Sequence, residues 1–272
     1  MSKLKKDAEK YPIYHVAVIL LIALGVMCLP IDRLFSLFIK DQKISLYLGG
    51  ITCDLTVTIA AIILIFKYGL SNSFSKISIK GALMVLPTIL VLVNNFPLIS
   101  LFTGGVTITA SNEKIVFYTL HCLFTAFSEQ LIFTGLLYPL LTWAYKKSNY
   151  KKIYALLTTA ALFSLSHLVN LFGGASIAQT LMQVGYTFLT GAMFLAAYLI
   201  CENIFIPVLM HFIYDFGGLM LDRTFGIGIG EYFTTLGIIL TAVIGVCVGV
   251  YLTVVTLRKV KEEKIQEGTK NE

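Results

Sequence analysis

Eight stretches of this chain, near residues 13–31, 46–66, 81–103, 115–143, 153–172, 177–200, 204–221 and 233–257, are apolar almost without interruption. Most run for about 17 to 25 residues, the length an α-helix needs to cross roughly 30 Å of hydrocarbon. No water reaches such a segment to satisfy its backbone, so each must close its own hydrogen bonds as a helix. Only 13% of the 272 residues are charged, against about 25% in a soluble domain. The expected fold is therefore all-α, a polytopic membrane bundle of about eight transmembrane helices. The fourth stretch is longer than a bilayer requires and is expected to tilt or to project from one face.

Charge orders these spans. With the amino terminus in the cytoplasm, the cytoplasmic segments hold Lys3, Lys5, Lys6 and Lys10, then Lys67, Lys76 and Lys80, then Lys146, Lys147, Lys151 and Lys152, and finally Arg258, Lys259, Lys261, Lys264 and Lys270. Arg33, Lys40, Lys43, Lys114 and Arg223 fall on the other side. This bias follows the positive-inside rule and places both termini in the cytoplasm of a plasma-membrane protein. The turn near Cys201 to Asn203 carries no basic residue and is the weakest joint of that topology. Three parts result: a basic tail over 1–12, one membrane domain over 13–257, and a charged tail over 258–272. Both tails read as solvated, the second as a helical continuation. The first span follows lysines and lacks a small-residue cleavage pattern, so it reads as a retained helix. The net charge of +6 belongs to these span ends and meets anionic lipid, not nucleic acid. Cys28, Cys53, Cys122, Cys201 and Cys247 stand singly, without the spacing of a disulfide framework or thiolate metal site.

Ionisable side chains inside spans are costly and are functional candidates when a partner can be named. They are Asp54, His121, Glu129, His167, His211 and Asp215. Glu129 lies near the centre of the fourth span; Gln130 and Thr134 share the helix face beside it. His167 stands one turn after Phe163, with Asn170 following. His211 and Asp215 are four residues apart, on one helix face. Pro207, one turn before His211, is expected to kink its span and open room for a peptide or a water. Taken singly, each has a plain structural explanation: a histidine in an apolar helix is commonly an interhelical hydrogen-bonder, and a lone buried glutamate can be protonated. Three spans that each contribute a polar group instead suggest water activation, with Glu129 as base, one histidine orienting the water, and the other with its neighbour stabilising an oxyanion. His121 reads as an auxiliary hydrogen-bonder, Asp54 has no partner nameable from the sequence, and His15 reads as interfacial. All three stay outside the expected site.

"EQLIFTG" from Glu129 to Gly135, "FSLSH" from Phe163 to His167 and "HFIYD" from His211 to Asp215 together resemble the motifs of the CAAX protease and bacteriocin-processing (CPBP, or Abi) intramembrane peptidases. That pattern is EExxxR followed by Gly, then FxxxH, then HxxxN or HxxxD. The resemblance covers Phe127 to Asp215 and implies an intramembrane endopeptidase with its active-site cavity in the bundle core, acting on membrane-associated or lipidated peptides of the bacteriocin, immunity or peptide-signal type. It implies Glu129 as the essential glutamate, His167 as its partner in activating water, and His211 with Asp215 at the oxyanion or the substrate. No metal or other cofactor is expected. The alternative is a divalent ion such as zinc on Glu129, His167 and His211, ranked lower because no compact HExxH site exists. Implied partners are a peptide or protein substrate within the membrane and the lipid bilayer, with no nucleic acid.

Two positions leave the pattern. Gln130 stands at the second glutamate and Thr134 at the arginine, which looks like the joint loss of an ion pair, since losing one member would strand a buried charge. Either the pair is dispensable and the peptidase works, or the protein is a non-catalytic scaffold or immunity factor. A small proton-coupled transporter using Asp54, Glu129 and Asp215 is a third reading, opposed by the lack of an inverted repeat.

Overall fold

The computed structural model of the chain describes residues 2–98, 110–220 and 235–269. Arg223, Lys270 and the ends 99–103, 221 and 233–234 of three expected spans lie outside the described residues. Within the described residues the architecture is a bundle of helices, with one isolated bridge between Phe74 and Asn203.

Among the described residues six helical segments are long and apolar enough to cross a membrane: Pro12–Phe35, Gln42–Tyr68, Asn112–Ala144, Lys151–Leu171, Ile177–Cys201 and Ile239–Gln266. The expected span at 204–221 is a shorter helix, Phe205–Leu219. The expected span at 81–103 is interrupted: α5 (Ile79–Val85) stops before Pro87 and α6 (Thr88–Asn94) restarts after it. Proline has no N–H and its ring crowds the carbonyl four residues back, so the chain passes Pro87 through short-range bonds from Leu86 N to Leu83 O and from Ile89 N to Leu86 O.

The helix starts follow capping chemistry. Orphan N–H groups of a first turn are taken up by a short polar side chain. Asp41 accepts from Lys43 and Ile44 at the head of α4 (Gln42–Tyr68), Ser111 from Lys114 at the head of α7 (Asn112–Gln130), and Ser176 forms a capping box with Gln179 before α10 (Ile177–Cys201). α4 ends at Gly69, whose φ of 68° suits a residue without Cβ.

The basic amino-terminal segment, expected as a solvated tail, is a helix laid against the bundle. α1 (Lys3–Lys10) buries Ala8, and Ser2 Oγ donates to Lys67 O at 2.6 Å. It is pinned by His15 on α2 (Pro12–Met27), whose ring bridges Asp7 Oδ2 (2.9 Å) and Tyr68 Oη (2.8 Å). His15 is thus buried between three helices instead of facing an interface. At the other terminus α12 (Thr235–Thr269) continues the last span without a break.

The turn at Cys201 to Asn203 is fastened to the polar linker after α4. Ile204 N donates to Ser73 O at 2.8 Å, Ser75 Oγ donates to Glu202 O at 2.6 Å, and the Asn203 amide donates to Ser75 O while its Oδ1 accepts from Phe205 N. Lys259 from α12 reaches Glu202 at 2.7 Å, supplying the basic group that the turn itself lacks.

α4 and α7 pack along most of their length, as do α9 (Lys151–Ser166) and α10, and α11 (Phe205–Leu219) lies against α7 and α10. Ile65, Leu136, Leu137, Leu140, Ala160 and Ile204 are fully enclosed between them. Gly217 and Gly218 let residues 95–96 approach α11, because a Cβ there would meet the Phe96 ring or the Asn95 amide at 2.5 and 2.4 Å.

Candidate active site

The fourth span changes pitch where its polar residues lie. α7 ends at Gln130, Leu131–Leu137 form a π-helix, and α8 (Tyr138–Ala144) resumes the α form. Pro139 stands two residues past the wide turn. It cannot donate to Gly135 O, and its ring would crowd that carbonyl, so the preceding turn opens. All seven π-helical residues are buried. Glu129 and Gln130 therefore occupy the last α-helical positions before the widening, and Thr134 lies inside it.

α11 supplies the opposing groups. His211 Nε2 lies 3.3 Å from Asp215 Oδ2 and 3.7 Å from Glu129 Oε2. The His211 side chain is 5% exposed, while Glu129 and Asp215 keep 15% and 20%, so the imidazole is the most enclosed of the three groups. Gln130 Nε2 donates to His211 Nδ1 at 3.1 Å, and Thr134 Oγ1 donates to Gln130 Oε1 at 2.7 Å. The His211 ring is stacked on Phe194 (centroids 4.9 Å apart, 26° between planes) and met edge-on by Phe163 at 5.9 Å.

His167 closes the site from α9, at the point where that helix tightens into the 3₁₀ segment His167–Leu171. Its Nδ1 donates to Phe163 O at 2.9 Å. In a neutral imidazole the other nitrogen then carries the lone pair, so Nε2 is an acceptor. The Phe163 ring touches both histidines, with centroids 5.1 Å from His167 and 5.9 Å from His211. It also meets Phe133 at 5.1 Å. The phenylalanine of FxxxH is thus the spacer between the two imidazoles. Asn170 turns away from them and donates to Gln183.

The structure therefore brings Glu129, His211 and Asp215 together directly, and His167 through Phe163. Pro207 does not act as a kink: α11 begins at Phe205, so the proline falls in the first turn, where its missing N–H has no partner to lose. Asp54 does have partners. It is buried on α4 and accepts from Thr125 Oγ1 and Ser128 Oγ, both at 2.7 Å, with His121 Nδ1 at 3.9 Å. Gly191 and Phe194 were also missed; a Cβ on Gly191 would stand 2.7 Å from Phe163 Cδ1. A glycine inside an apolar helix was their only trace in the sequence. Among the described residues no group of three or more His, Cys, Asp or Glu side chains is placed to hold a metal ion.

Residues 111–217 match the family described as Type II CAAX prenyl endopeptidase Rce1-like. The likeness is to the Rce1-like family and lies in this segment. The matched Rce1-like region opens at the Ser111 cap of α7 and closes at Gly217 in α11, so it contains every residue of the site. The family is one of CAAX-type intramembrane proteases, and the apolar helices within and around the matched region are those of a multi-pass membrane protein. Neither a curated protein nor a solved structure matches the chain.

Proposed function

We propose that the protein is a working intramembrane endopeptidase that hydrolyses peptide bonds of membrane-associated or lipidated peptides at Glu129. The observation that carries this reading is the convergence of Glu129, His211 and Asp215 within 3.3–3.7 Å inside the bundle, with a second imidazole of opposite hydrogen-bonding sense across Phe163.

Glu129 takes a proton from water as the oxygen attacks the scissile carbonyl carbon, and His167 Nε2 orients that water by accepting its second O–H. The tetrahedral oxyanion is met by the Nε2–H of His211, whose orientation Asp215 holds. The C–N bond then breaks, and the proton held on Glu129 passes to the leaving amine. No metal takes part in this scheme. The bilayer surrounds the site and the substrate reaches it from the membrane, at the plasma membrane and with both termini cytoplasmic.

The test is turnover of a panel of quenched peptides by detergent-purified protein, beside Glu129→Ala and His167→Ala, with a chelator arm. Loss of a general base costs about 10²–10⁴-fold, so both variants are expected to fall by that range while the chelator leaves the rate unchanged. Cleavage that survives both substitutions sinks the assignment. Cleavage only by the Gln130→Glu, Thr134→Arg double variant identifies the natural protein as a non-catalytic scaffold.

A further inference from the structure

The two residues that leave the family pattern are not vestiges. They form a buried chain, Thr134 Oγ1 to Gln130 Oε1 at 2.7 Å and Gln130 Nε2 to His211 Nδ1 at 3.1 Å. Gln130 is 3% exposed and Thr134 1%, so each polar atom must find its partner inside the chain. An amide has one face that accepts and one that donates. Thr134 uses the accepting face, which leaves only N–H to present to His211. The imidazole nitrogen facing it must then carry the lone pair, and the ring proton must sit on Nε2.

We infer that Gln130 and Thr134 are positioning residues that lock neutral His211 as a hydrogen-bond donor toward Glu129 and Asp215. Their carboxylate oxygens stand 3.7 and 3.3 Å from Nε2, so a proton on that nitrogen is held on the side of the ring that faces both. A carboxylate at position 130 accepts only when ionised and draws the proton onto Nδ1, so that Nε2 donates only if the whole ring is cationic. A neutral amide makes the donor independent of that charge. The exchange at 134 follows from the first: a hydroxyl can orient an amide, whereas a buried arginine beside it has no counter-charge. The two departures are one device. The stacking of Phe194 and the edge of Phe163 keep the ring from turning to exchange its nitrogens.

This rests on the proposed role of His211, but its test does not read turnover. The chain has four histidines, so the full-length protein in detergent, labelled with ¹⁵N in its imidazoles, gives four pairs of nitrogen resonances. His211 is assigned by its loss in His211→Gln and cross-checked by His15→Gln, His121→Gln and His167→Gln. The expected result is an unprotonated Nδ1 and a protonated Nε2 at His211 in the natural protein, while His167 shows the reverse. Gln130→Glu is expected to move the proton onto Nδ1, Thr134→Val to mix the two tautomers, and Thr134→Ser to restore the single one. A proton on His211 Nδ1 in the natural protein, whether in the other tautomer or in an imidazolium, overturns the inference. So does a tautomer that ignores both Gln130→Glu and Thr134→Val. A protein that shows the expected tautomer but cleaves no peptide fails the functional reading alone.

Discussion

Gly191→Ala is the most demanding test of how the site is held, because it adds one methyl group far from any reacting atom. An ideal Cβ at 191 lies 2.7 Å from Phe163 Cδ1 and 3.5 Å from Cε1 and Cγ. Ordinary carbon contacts lie near 3.5–4.0 Å, so the ring must retreat by about 0.8 Å. It has little room, since Phe133, His167 and His211 press on its other sides at 5.1, 5.1 and 5.9 Å between centroids. Overpacking of this kind costs about 1–3 kcal/mol. A displacement of about 1 Å among catalytic groups lowers rate by about 10²-fold, so the peptide assay is expected to show a loss near that size at a stability cost of about 1–3 kcal/mol in thermal unfolding. Gly185→Ala on the same helix is the control: its Cβ meets nothing within 4 Å, and alanine there is expected to be neutral or to stabilise by about 0.5–1 kcal/mol. Phe163→Leu in the Gly191→Ala background is expected to recover part of the stability. If Gly191→Ala matches the natural protein in both assays, Phe163 is not fixed by that contact and its role as spacer is refuted.

Two other perturbations probe the surroundings. Asp54→Ala removes the acceptor of Thr125, while Ser128 Oγ keeps Thr125 O at 3.0 Å; the expected loss is about 1–3 kcal/mol in detergent unfolding, and Asp54→Asn, which keeps one acceptor, is expected to lose less. Equal melting of the two variants would show that hydroxyl pairing to Asp54 is not what stabilises α4 against α7. At the opposite end of these helices, the Lys114 ammonium, 2.6 Å away, holds the Asp41 carboxyl below the usual carboxylate range, with the capping N–H groups adding to it. Asp41→Asn keeps a competent cap and removes only the ion pair, so the expected cost at neutral pH is at most about 1 kcal/mol. Because the native pKa is the lower one, that advantage is full above the unfolded value of about 3.9 and is lost as pH falls through the native value. Denaturant melts of the two proteins should converge in acid and separate at neutral pH; a gap that widens in acid would reverse the sign of the argument.

Much of the site was legible because its chemistry is written as spacing. His211 and Asp215 share a face by being four residues apart, and Gln130 and Thr134 do so for the same reason, which is how they come to bond. Glu129 could be singled out by the cost of burying it. Contacts between distant segments carried no such mark. Asp54 looked isolated because its hydroxyl partners lie 71 and 74 residues away. His15 looked interfacial because nothing local says that α1 folds back and brings Asp7 to it. Apolar length also outweighed local stereochemistry: the run at 81–103 reads as one span by hydropathy although Pro87 divides it, and Pro207 reads as a kink until the start of α11 is known. The wide turn after Gln130 has no periodic signature at all, since every residue in it is apolar or small enough to be buried on any face.

That wide turn sets the phase of the whole fourth span. An α-helix advances about 100° per residue, so deleting one residue anywhere in Leu131–Leu137 would swing α8 about a quarter-turn against the helices it packs on. Deleting Leu131, Ile132 or Phe133 would also shift the hydroxyl at 134 off the amide it orients, although none of the polar motif residues would have been removed. Length between Gln130 and Pro139 is therefore as binding as residue type. Variation in this part of the chain should come as substitutions and not as gaps.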